Sequence, residues 1–250
     1  MPYTFTVTAD TSISAMAYDP TLYNPDFSQA SWAQLKNAVT AGRVAEFYSN
    51  NVGDTKSVTI NGTAYDFRLA HIGENPYEYA DGSGYAGMIF DCVSVITTSA
   101  YSSTSDNQGF STSSPLGTTT LPNLAAALPQ DLLDVIATVK VISGGCPRTS
   151  GQLEVANMTV FIPASKELGN TGGYGPAQEY NALVTWDYYR THNSNTYRIK
   201  RNSSNTATAY WLRSYASTNL QSNAIIIGTG GAYSTSMPRS SFGISISFCL

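Results

Sequence analysis

The amino-acid sequence predicts an α+β fold with a mainly antiparallel sheet, about two to three helices and long surface loops. Short runs that alternate apolar and polar residues indicate strands, and residues 242–250 form the clearest of these runs. An Asn-Gly pair at 61–62 is typical of a tight β-hairpin. A Ser-x-x-Gln pattern at 31–34 is typical of a helix N-terminus. The composition suggests an all-β or α+β protein, and the predicted helices favour one α+β domain.

The chain divides into a short leading region and one large domain. Residues 1–10 alternate apolar and polar side chains and predict a strand. We therefore expect an N-terminal strand and leading arm over residues 1–30, followed by a single domain over residues 31–250. The C-terminal segment of that domain, about residues 209–250, carries the features that bear on function.

The first elements of the domain are predicted by local signals. A helix begins at Ser31, and Gly42 ends it. Its apolar side is formed by Trp32, Leu35 and Val39. Residues 57–60 and 63–70 form the two strands of the Asn-Gly hairpin. Residues 85–96 are nearly continuous in apolar residues, which is typical of a strand in the middle of a sheet.

The middle of the chain predicts a long loop and then several short elements. Thr97–Thr120 is rich in Ser, Thr and Gly and predicts a long surface excursion. A short helix follows Pro129, and strands are expected over 139–142 and 158–162. A further helix is expected over 179–189. The side chains predicted to face the core from that helix are Tyr180, Leu183, Val184 and Trp186.

The composition restricts the function classes. Charged residues number 30 (13 Lys+Arg and 17 Asp+Glu), a fraction of 12%, which is half of the roughly 25% that is typical of soluble proteins. This deficit indicates a protein that works outside the cytoplasm or on a particle surface. The net charge of −4 and the lack of a basic cluster argue against a nucleic-acid partner. We interpret Arg198-Lys200-Arg201 as a solvated strand edge, and no apolar run predicts membrane insertion.

Signals for catalysis, metals or cofactors are weak. The two histidines, His71 and His192, do not form a metal-binding pair, and no cofactor or metal site is predicted. Three widely spaced cysteines do not predict a disulfide framework. Cys92 and Cys249 lie in apolar runs and are expected to be buried.

One acidic cluster leaves an enzymatic alternative open. Glu74, Glu78 and Asp81 lie near two tyrosines and are the carboxylates that a glycan-active enzyme would use. An acidic, aromatic surface loop explains the same residues more simply.

The C-terminal segment combines apolar ends with a polar middle. Trp211-Leu212-Arg213-Ser214 stands at its start, and the alternating run over 242–250 ends it. Between them, Tyr215–Ser241 consists mostly of Ser, Thr, Asn, Ala, Gly and Tyr, a composition that is typical of recognition surfaces. We expect Trp211 to lie in the core and Arg213 to be a buried ion-pair partner.

These residues also carry a resemblance. The WLRS tetrad at 211–214, Gly228 and the Phe242-Gly243-Ile244 run resemble a domain family that ends in a "WLRS … G-V-R-P-A-F" pattern. This family is found in phage structural proteins and gut-bacterial surface proteins. Upstream agreement includes Leu128-Pro129 and the run from Thr159 to Leu168. The sequence departs from the pattern at Ser245 and Ser247, where the family often has Arg and Ala.

The resemblance implies a C-type-lectin-like fold, similar to the variable proteins of diversity-generating retroelements. It further implies a non-enzymatic adhesin that binds a cell-surface protein or glycan receptor. Such a protein would be located at a phage tail tip or on a bacterial cell surface, and a homotrimer is expected by analogy with tail fibres. The alternatives are a structural tail or spike component without a dedicated ligand, and the glycan-active enzyme.

The segment also provides a specific set of predicted ligand-binding residues. They are expected to face solvent and to cluster on one surface, above Trp211, Ile226 and Phe248. The set consists of Tyr215, Ser217, Thr218, Leu220, Ser222, Asn223, Ala232, Tyr233 and Thr235.

Overall fold

The computed structural model describes residues 19, 21–73, 77–103, 110, 114–144, 153–172, 174–216 and 223–250. The strand predicted over residues 1–10 and Glu74 lie outside the described residues. Within the described residues the fold is mixed α+β, with mostly antiparallel sheets.

Six α-helices lie within the described residues, more than the two or three predicted. They are α1 (Trp32–Thr40), α2 (Val44–Tyr48), α3 (Leu121–Ala126), α4 (Gln130–Leu133), α5 (Ala177–Ala182) and α6 (Asp187–Thr191). Short 3-10 helices span Ser49–Asn51 and Asn195–Arg198, and a π-helical turn spans Leu116–Thr120. Apart from α1, each α-helix has six residues or fewer. Helical periodicity is weak over so few residues, and α2 and α3 were not predicted.

The described residues form twelve strands, which make two five-stranded sheets and one two-stranded sheet. In chain order they are β1 (Thr55–Ile60), β2 (Thr63–Ile72), β3 (Met88–Cys92), β4 (Thr97–Ala100), β5 (Val139–Gly144), β6 (Leu153–Met158), β7 (Val160–Phe161), β8 (Tyr210–Tyr215), β9 (Ala224–Ile227), β10 (Tyr233–Ser236), β11 (Ser241–Ile244) and β12 (Ser247–Cys249). The first sheet has the order β1-β2-β3-β12-β7 and the second has the order β10-β9-β8-β11-β4. The remaining pair, β5 and β6, is antiparallel.

Two local predictions are confirmed in detail. The Ser31 side chain accepts a bond from the Gln34 backbone N–H, and the Gln34 side chain accepts one from the Ser31 backbone N–H, as a capping box requires. The β1–β2 turn has positive φ at Asn61 (49°) and Gly62 (80°), which is the backbone that a type I′ hairpin needs. The predicted central strand is also confirmed, because β3 lies third in the first sheet and all of its residues are buried.

The middle of the chain departs from its prediction in two places. The loop expected over Thr97–Thr120 begins with β4, an edge strand of the second sheet, and it buries Tyr101, Phe110 and Leu116 completely. The helix expected over 179–189 is two short helices, α5 and α6. Val184 lies between them and is 41% exposed, whereas Trp186 is buried as expected.

The C-terminal run is two strands instead of one. It leaves the second sheet after β11, passes through Ser245 and Ile246, and enters the first sheet as β12 between β3 and β7. Ile244, Ile246, Phe248 and Leu250 are fully buried, as the alternation predicted, while Phe242 is half-buried. Because both faces of this run are covered, the serines between the large side chains are buried as well.

The two faces of the run contact different environments. On one face the Phe248 ring packs against the rings of Trp32, Phe67 and Phe90, at centroid distances of 5.7, 5.2 and 5.2 Å. On the other face Ser245 accepts a hydrogen bond from Lys200 Nζ (2.9 Å). Large apolar side chains therefore alternate with small hydroxyls because one face meets the aromatic core and the other a buried charge.

The burial of Lys200 contradicts the prediction that Arg198-Lys200-Arg201 is a solvated strand edge. Lys200 is 2% exposed and forms an ion pair with buried Asp91 (2.8 Å). Asp91 also accepts hydrogen bonds from Ser247 Oγ (3.1 Å) and Tyr189 Oη (2.7 Å). Only Arg201 of the triplet is exposed, so the expectation of a solvated strand edge is wrong for its other two members.

We predict that deleting residues 246–250 prevents folding. The deletion removes the buried side chains of Ile246, Phe248 and Leu250, each of which contributes about 1.5–3 kcal/mol, against a typical net stability of roughly 5–15 kcal/mol. A milder variant, Phe248→Ala, should lower the free energy of unfolding in urea by about 3–5 kcal/mol. The control is Met237→Ala, which alters a 51% exposed side chain. A truncated chain that melts like the parent would contradict the prediction.

Candidate ligand-binding site

The start of the C-terminal segment is held by a buried ion pair. Arg213 and Glu167 are both fully buried, and two N–H···O bonds join them, at 2.6 Å to Oε2 and 2.5 Å to Oε1. The remaining guanidinium hydrogens are donated to the carbonyl oxygens of Ile142 and Ile162, both at 2.8 Å, and to Tyr77 Oη at 3.0 Å. Burial opposes the charge of Arg213, but the charge and hydrogen bonds of Glu167, together with Tyr77 and Glu179, raise the pKa of Arg213. The prediction of a buried ion-pair partner is confirmed.

A second buried carboxyl group lies beside this ion pair. Glu179 Oε1 accepts a hydrogen bond from the Ser214 hydroxyl, and Oε2 accepts one from the backbone N–H of Gly144 (2.6 Å). The Ser214 oxygen in turn accepts a bond from the Ser165 backbone N–H (2.9 Å). Burial raises the pKa of Glu179 to about 7, and the Ser214 and Gly144 bonds oppose this rise. This group therefore joins the ends of β5 and β8 to α5.

The residues expected beneath the binding surface are buried. Trp211 and Phe248 are fully buried and Ile226 is 7% exposed, so this part of the prediction is confirmed. Trp211 Nε1 donates to the Ser99 carbonyl oxygen (3.0 Å), and the ring packs edge-to-face on Phe242 with a centroid distance of 4.9 Å.

Tyr215 is not a surface residue. It was expected to face solvent but is 2% exposed, and its ring packs edge-to-face on Tyr101 with a centroid distance of 5.3 Å. The reason is that Tyr215 is the last residue of β8 and pairs with Ala224 of β9, so it closes the core at that end of the sheet. Four further predicted contact residues, Ser217, Thr218, Leu220 and Ser222, lie outside the described residues.

The other predicted contact residues lie at two ends of the sheet instead of on one surface. Asn223 precedes β9 at the end where β8 finishes, whereas Ala232 lies beyond the opposite end of β9, where the Gly228 N–H donates to its carbonyl oxygen (2.8 Å). Five residue steps separate Asn223 from Gly228, or roughly 16 Å at the usual rise of a strand. Thr235 lies between the two ends, on β10, and is half-buried.

The Tyr233 side chain is held in one position by contacts of both its hydroxyl and its ring. It is half-buried, and its hydroxyl lies 2.8 Å from the Leu168 carbonyl oxygen and 3.2 Å from that of Ser165. Its ring lies 4.7 Å from the Arg198 guanidinium and 5.6 Å from the Tyr174 ring. Burial raises the pKa of Tyr233, and the Arg198 charge opposes this rise.

Arg198 joins two exposed loops, residues 193–197 and residues 229–232, which we call the platform. Arg198 is 4% exposed, so its interpretation as a solvated residue is also wrong. Its Nε donates to the Gly231 carbonyl oxygen (3.1 Å), Nη1 to that of Asn193 (2.9 Å) and Nη2 to Asn195 Oδ1 (2.5 Å). Every platform residue except Gly231 is exposed.

Gly231 allows the two loops to touch. Its φ is +80°, and a Cβ at this position would lie 1.8 Å from the Asn195 carbonyl oxygen. No other residue type fits this contact without moving one loop. The backbone of the C-terminal segment is therefore in direct contact with residues 193–197, which lie outside that segment.

Residues 193–197 are not among the contact residues that were predicted from the sequence. The run Asn-Ser-Asn-Thr-Tyr has the same composition that drew attention to the C-terminal segment, so a signal was present. The run was not considered because it lies outside residues 209–250, the segment in which the contact residues were predicted. Its contact with Gly231 comes from the fold, and composition does not show it.

The remaining candidate groups have structural partners. Glu78 forms an ion pair with Lys140 (2.8 Å), and hydrogen bonds from Ser83 lower the pKa of Asp81. His71 Nδ1 lies 2.9 Å from Asp187 Oδ2. Across the described ranges, no group of three or more His, Cys, Asp or Glu side chains could hold a metal ion.

Comparison with protein-family models, with curated proteins and with solved structures finds no match for this chain. Of the helices that the structure describes, none has the length and apolar character needed to cross a membrane.

We predict that Arg213→Met lowers the free energy of unfolding by about 3–5 kcal/mol or prevents folding, because it leaves the Glu167 charge buried and unpaired. The control is Arg190→Met. Arg190 also pairs with a carboxylate, that of Asp187, but its side chain is 66% exposed, and such pairs contribute about 0–1 kcal/mol. Urea unfolding followed by circular dichroism measures both. Equal effects of the two substitutions would contradict the role given to Arg213.

We predict that Glu179 makes stability fall as the pH rises from about 4.5 to about 7. The pKa in the folded state, about 7, lies above the ordinary value of 4.5. Below pH 4.5 both states hold the proton. Between these values only the folded state keeps it, so stability is lost with rising pH, by roughly 3 kcal/mol in total.

Urea unfolding at several pH values tests this prediction against two variants. Glu179→Gln should remove this part of the pH dependence, whereas Glu46→Gln, at a side chain that is 57% exposed, should leave it unchanged. An unchanged pH profile in Glu179→Gln would show that the prediction is wrong.

Proposed function

We propose that this protein is a non-enzymatic receptor-binding display protein with a C-type-lectin-like fold. The observation that supports this most directly is a division within residues 209–250. Trp211, Arg213, Ile226 and Phe248 are buried. Thr229, Gly230 and Ala232, in contrast, are small or polar and exposed. Substitutions at such exposed positions usually change stability by less than about 0.5 kcal/mol, so this surface can vary while the fold is kept.

The platform is also suited to binding because it is already ordered. The Arg198 side chain bonds to both of its loops, and Gly231 fixes their contact. A surface that is held in its bound conformation loses less conformational entropy when a ligand binds. Small polar residues together with a tyrosine provide hydrogen bonds and contact area on such a surface.

The resemblance to variable proteins of diversity-generating retroelements supplies the biological context of the proposal. The partner is a cell-surface protein or glycan receptor, and the protein acts at a phage tail tip or on a bacterial cell surface. A homotrimer follows only from the analogy with tail fibres. In the neighbouring DNA we expect a near-identical copy of the last coding stretch that differs at adenines, beside a reverse-transcriptase gene.

The two alternatives differ from this proposal in what they require. A structural tail or spike component needs no cell binding. A glycan-active enzyme needs a catalytic carboxylate, but the ion pair of Glu78 with Lys140 favours a structural role for that residue. Turnover that is lost in Glu78→Gln would be needed to support the enzyme.

We predict that Ala232→Arg abolishes binding to receptor-bearing cells and leaves the melting temperature unchanged. Ala232 is exposed on the platform, so the new side chain occupies the space of a ligand without entering the core. Thr59→Arg is the matched control, because Thr59 is exposed on β1, the edge strand of the first sheet. Binding of the labelled protein to cells is measured by flow cytometry.

The outcome separates the display protein from the structural component. At least a tenfold loss in Ala232→Arg, with Thr59→Arg like the parent, supports the display function. Equal binding by all three proteins would contradict the platform as the binding surface. Parent protein that binds no cell type carrying a candidate receptor would favour the structural component.

A further inference from the structure

The Tyr197 ring is exposed to solvent and packs against neighbouring aromatic rings. The side chain is 45% exposed, although it lies within a group of stacked rings. The His192 ring contacts it edge-to-face with a centroid distance of 4.7 Å, and His192 stacks on Tyr188 at 4.5 Å. On Tyr188 lies the guanidinium of Arg68, 3.9 Å from the ring centroid. The exposed ring is therefore held in position by two rings, His192 and Tyr188, the second at a centroid distance of 6.2 Å.

The polar groups next to this ring are also held in position. Arg198 donates to the Asn193 carbonyl oxygen and to Asn195 Oδ1. Asn195 is itself exposed, and this bond occupies its Oδ1 and not its amide nitrogen. The hydroxyls of Ser194 and Thr196 lie 2.7 Å apart. Ring, amides and hydroxyls thus belong to five consecutive residues, in the 3-10 helix that spans Asn195–Arg198 and the two residues before it.

The chemistry of the platform fits one class of ligand. Its residues include one aromatic ring, two asparagines and three hydroxyl side chains, but no charged residue and no aliphatic side chain larger than alanine. The apolar C–H face of a sugar can pack on the Tyr197 ring, while amides and hydroxyls exchange hydrogen bonds with its hydroxyl groups. The lack of charge favours neutral sugars over anionic ones.

We propose that Tyr197, Asn193 and Asn195 form the constant half of a binding site for a neutral saccharide, and that residues 229–232 form its variable half. The inference rests on the proposed display function and names its ligand class. Arg198 and Gly231 connect the two halves, so changes in the variable loop alter which saccharide fits without moving the ring.

A protein receptor fits the platform less well. Protein interfaces are centred on several buried aromatic, arginine or apolar side chains. Of the large apolar side chains that are exposed in the described residues, only Tyr197 lies on the platform. The others are distributed over the remaining surface, namely Leu22, Tyr85, Val155, Val184 and Met237.

The test uses the full chain and the cells that bind it. Cells are treated with periodate, which cleaves vicinal diols of sugars, with sialidase, which removes anionic sugars, or with a protease. We expect periodate to abolish binding and sialidase to leave it unchanged. Protease should lower binding only as far as it removes glycans that are attached to surface proteins. Tyr197→Ala should lower affinity at least tenfold, and Tyr197→Phe, which keeps the ring, by no more than about threefold. Tyr85→Ala removes a 62% exposed tyrosine elsewhere and serves as the control.

Two results would overturn the saccharide inference and leave the display function standing. One is binding that survives periodate but is lost after protease treatment. The other is a folded Tyr197→Ala variant that binds like the parent, while Ala232→Arg still fails to bind. A melting temperature within about 2 °C of the parent shows that each variant is folded. Sialidase-sensitive binding would overturn the assignment of a neutral sugar.

Discussion

The fold depends most on the ion pair between Arg213 and Glu167, because it joins parts of the chain that share no hairpin. Arg213 lies on β8, and its guanidinium reaches carbonyl oxygens at Ile142 of β5 and at Ile162, just after β7. Both charges are fully buried, so their desolvation must be compensated by bonds of good geometry. The Tyr77 hydroxyl and the Ala164 backbone N–H complete the hydrogen bonding of Glu167. A buried charge that needs all of these partners defines one arrangement of the strands around it.

A second buried ion pair is formed by Lys200 and Asp91. Lys200 and Asp91 are held beneath the last strands by Ser245, Ser247 and Tyr189. The two serines supply the hydroxyls that these charges require. The C-terminal run can therefore cross from one sheet to the other while both of its faces are buried. Large side chains fill the aromatic side, and small hydroxyls satisfy the charged side.

Sequence reasoning succeeded where a signal is local and failed where partners are distant in the chain. The capping box at Ser31 and the turn at Asn61-Gly62 need only neighbouring residues. Burial of Arg213 could also be predicted, since a lone charge in an apolar tetrad needs a partner. Arg198, by contrast, is buried by Gly231 and Asn195, and Tyr215 by Tyr101, which no sequence pattern connects to them. The alternation over 242–250 could not show the change of sheet, because both strands keep the same period.

The contrast between buried and exposed residues in one hairpin explains how the proposed display surface lies beside a dense core. In the β9–β10 hairpin the residues of β9 are buried, while Thr229, Gly230 and Ala232 of the turn that follows are exposed. Gly231 is excluded from variation by its contact with the Asn195 carbonyl oxygen, whereas Thr229, Gly230 and Ala232 have no such restriction from burial. Because Arg198 joins this turn to residues outside the C-terminal segment, a change in the turn alters the surface without altering its position. In the proposed display protein, variable side chains would thus stand on a backbone that buried charged residues and Gly231 hold in place.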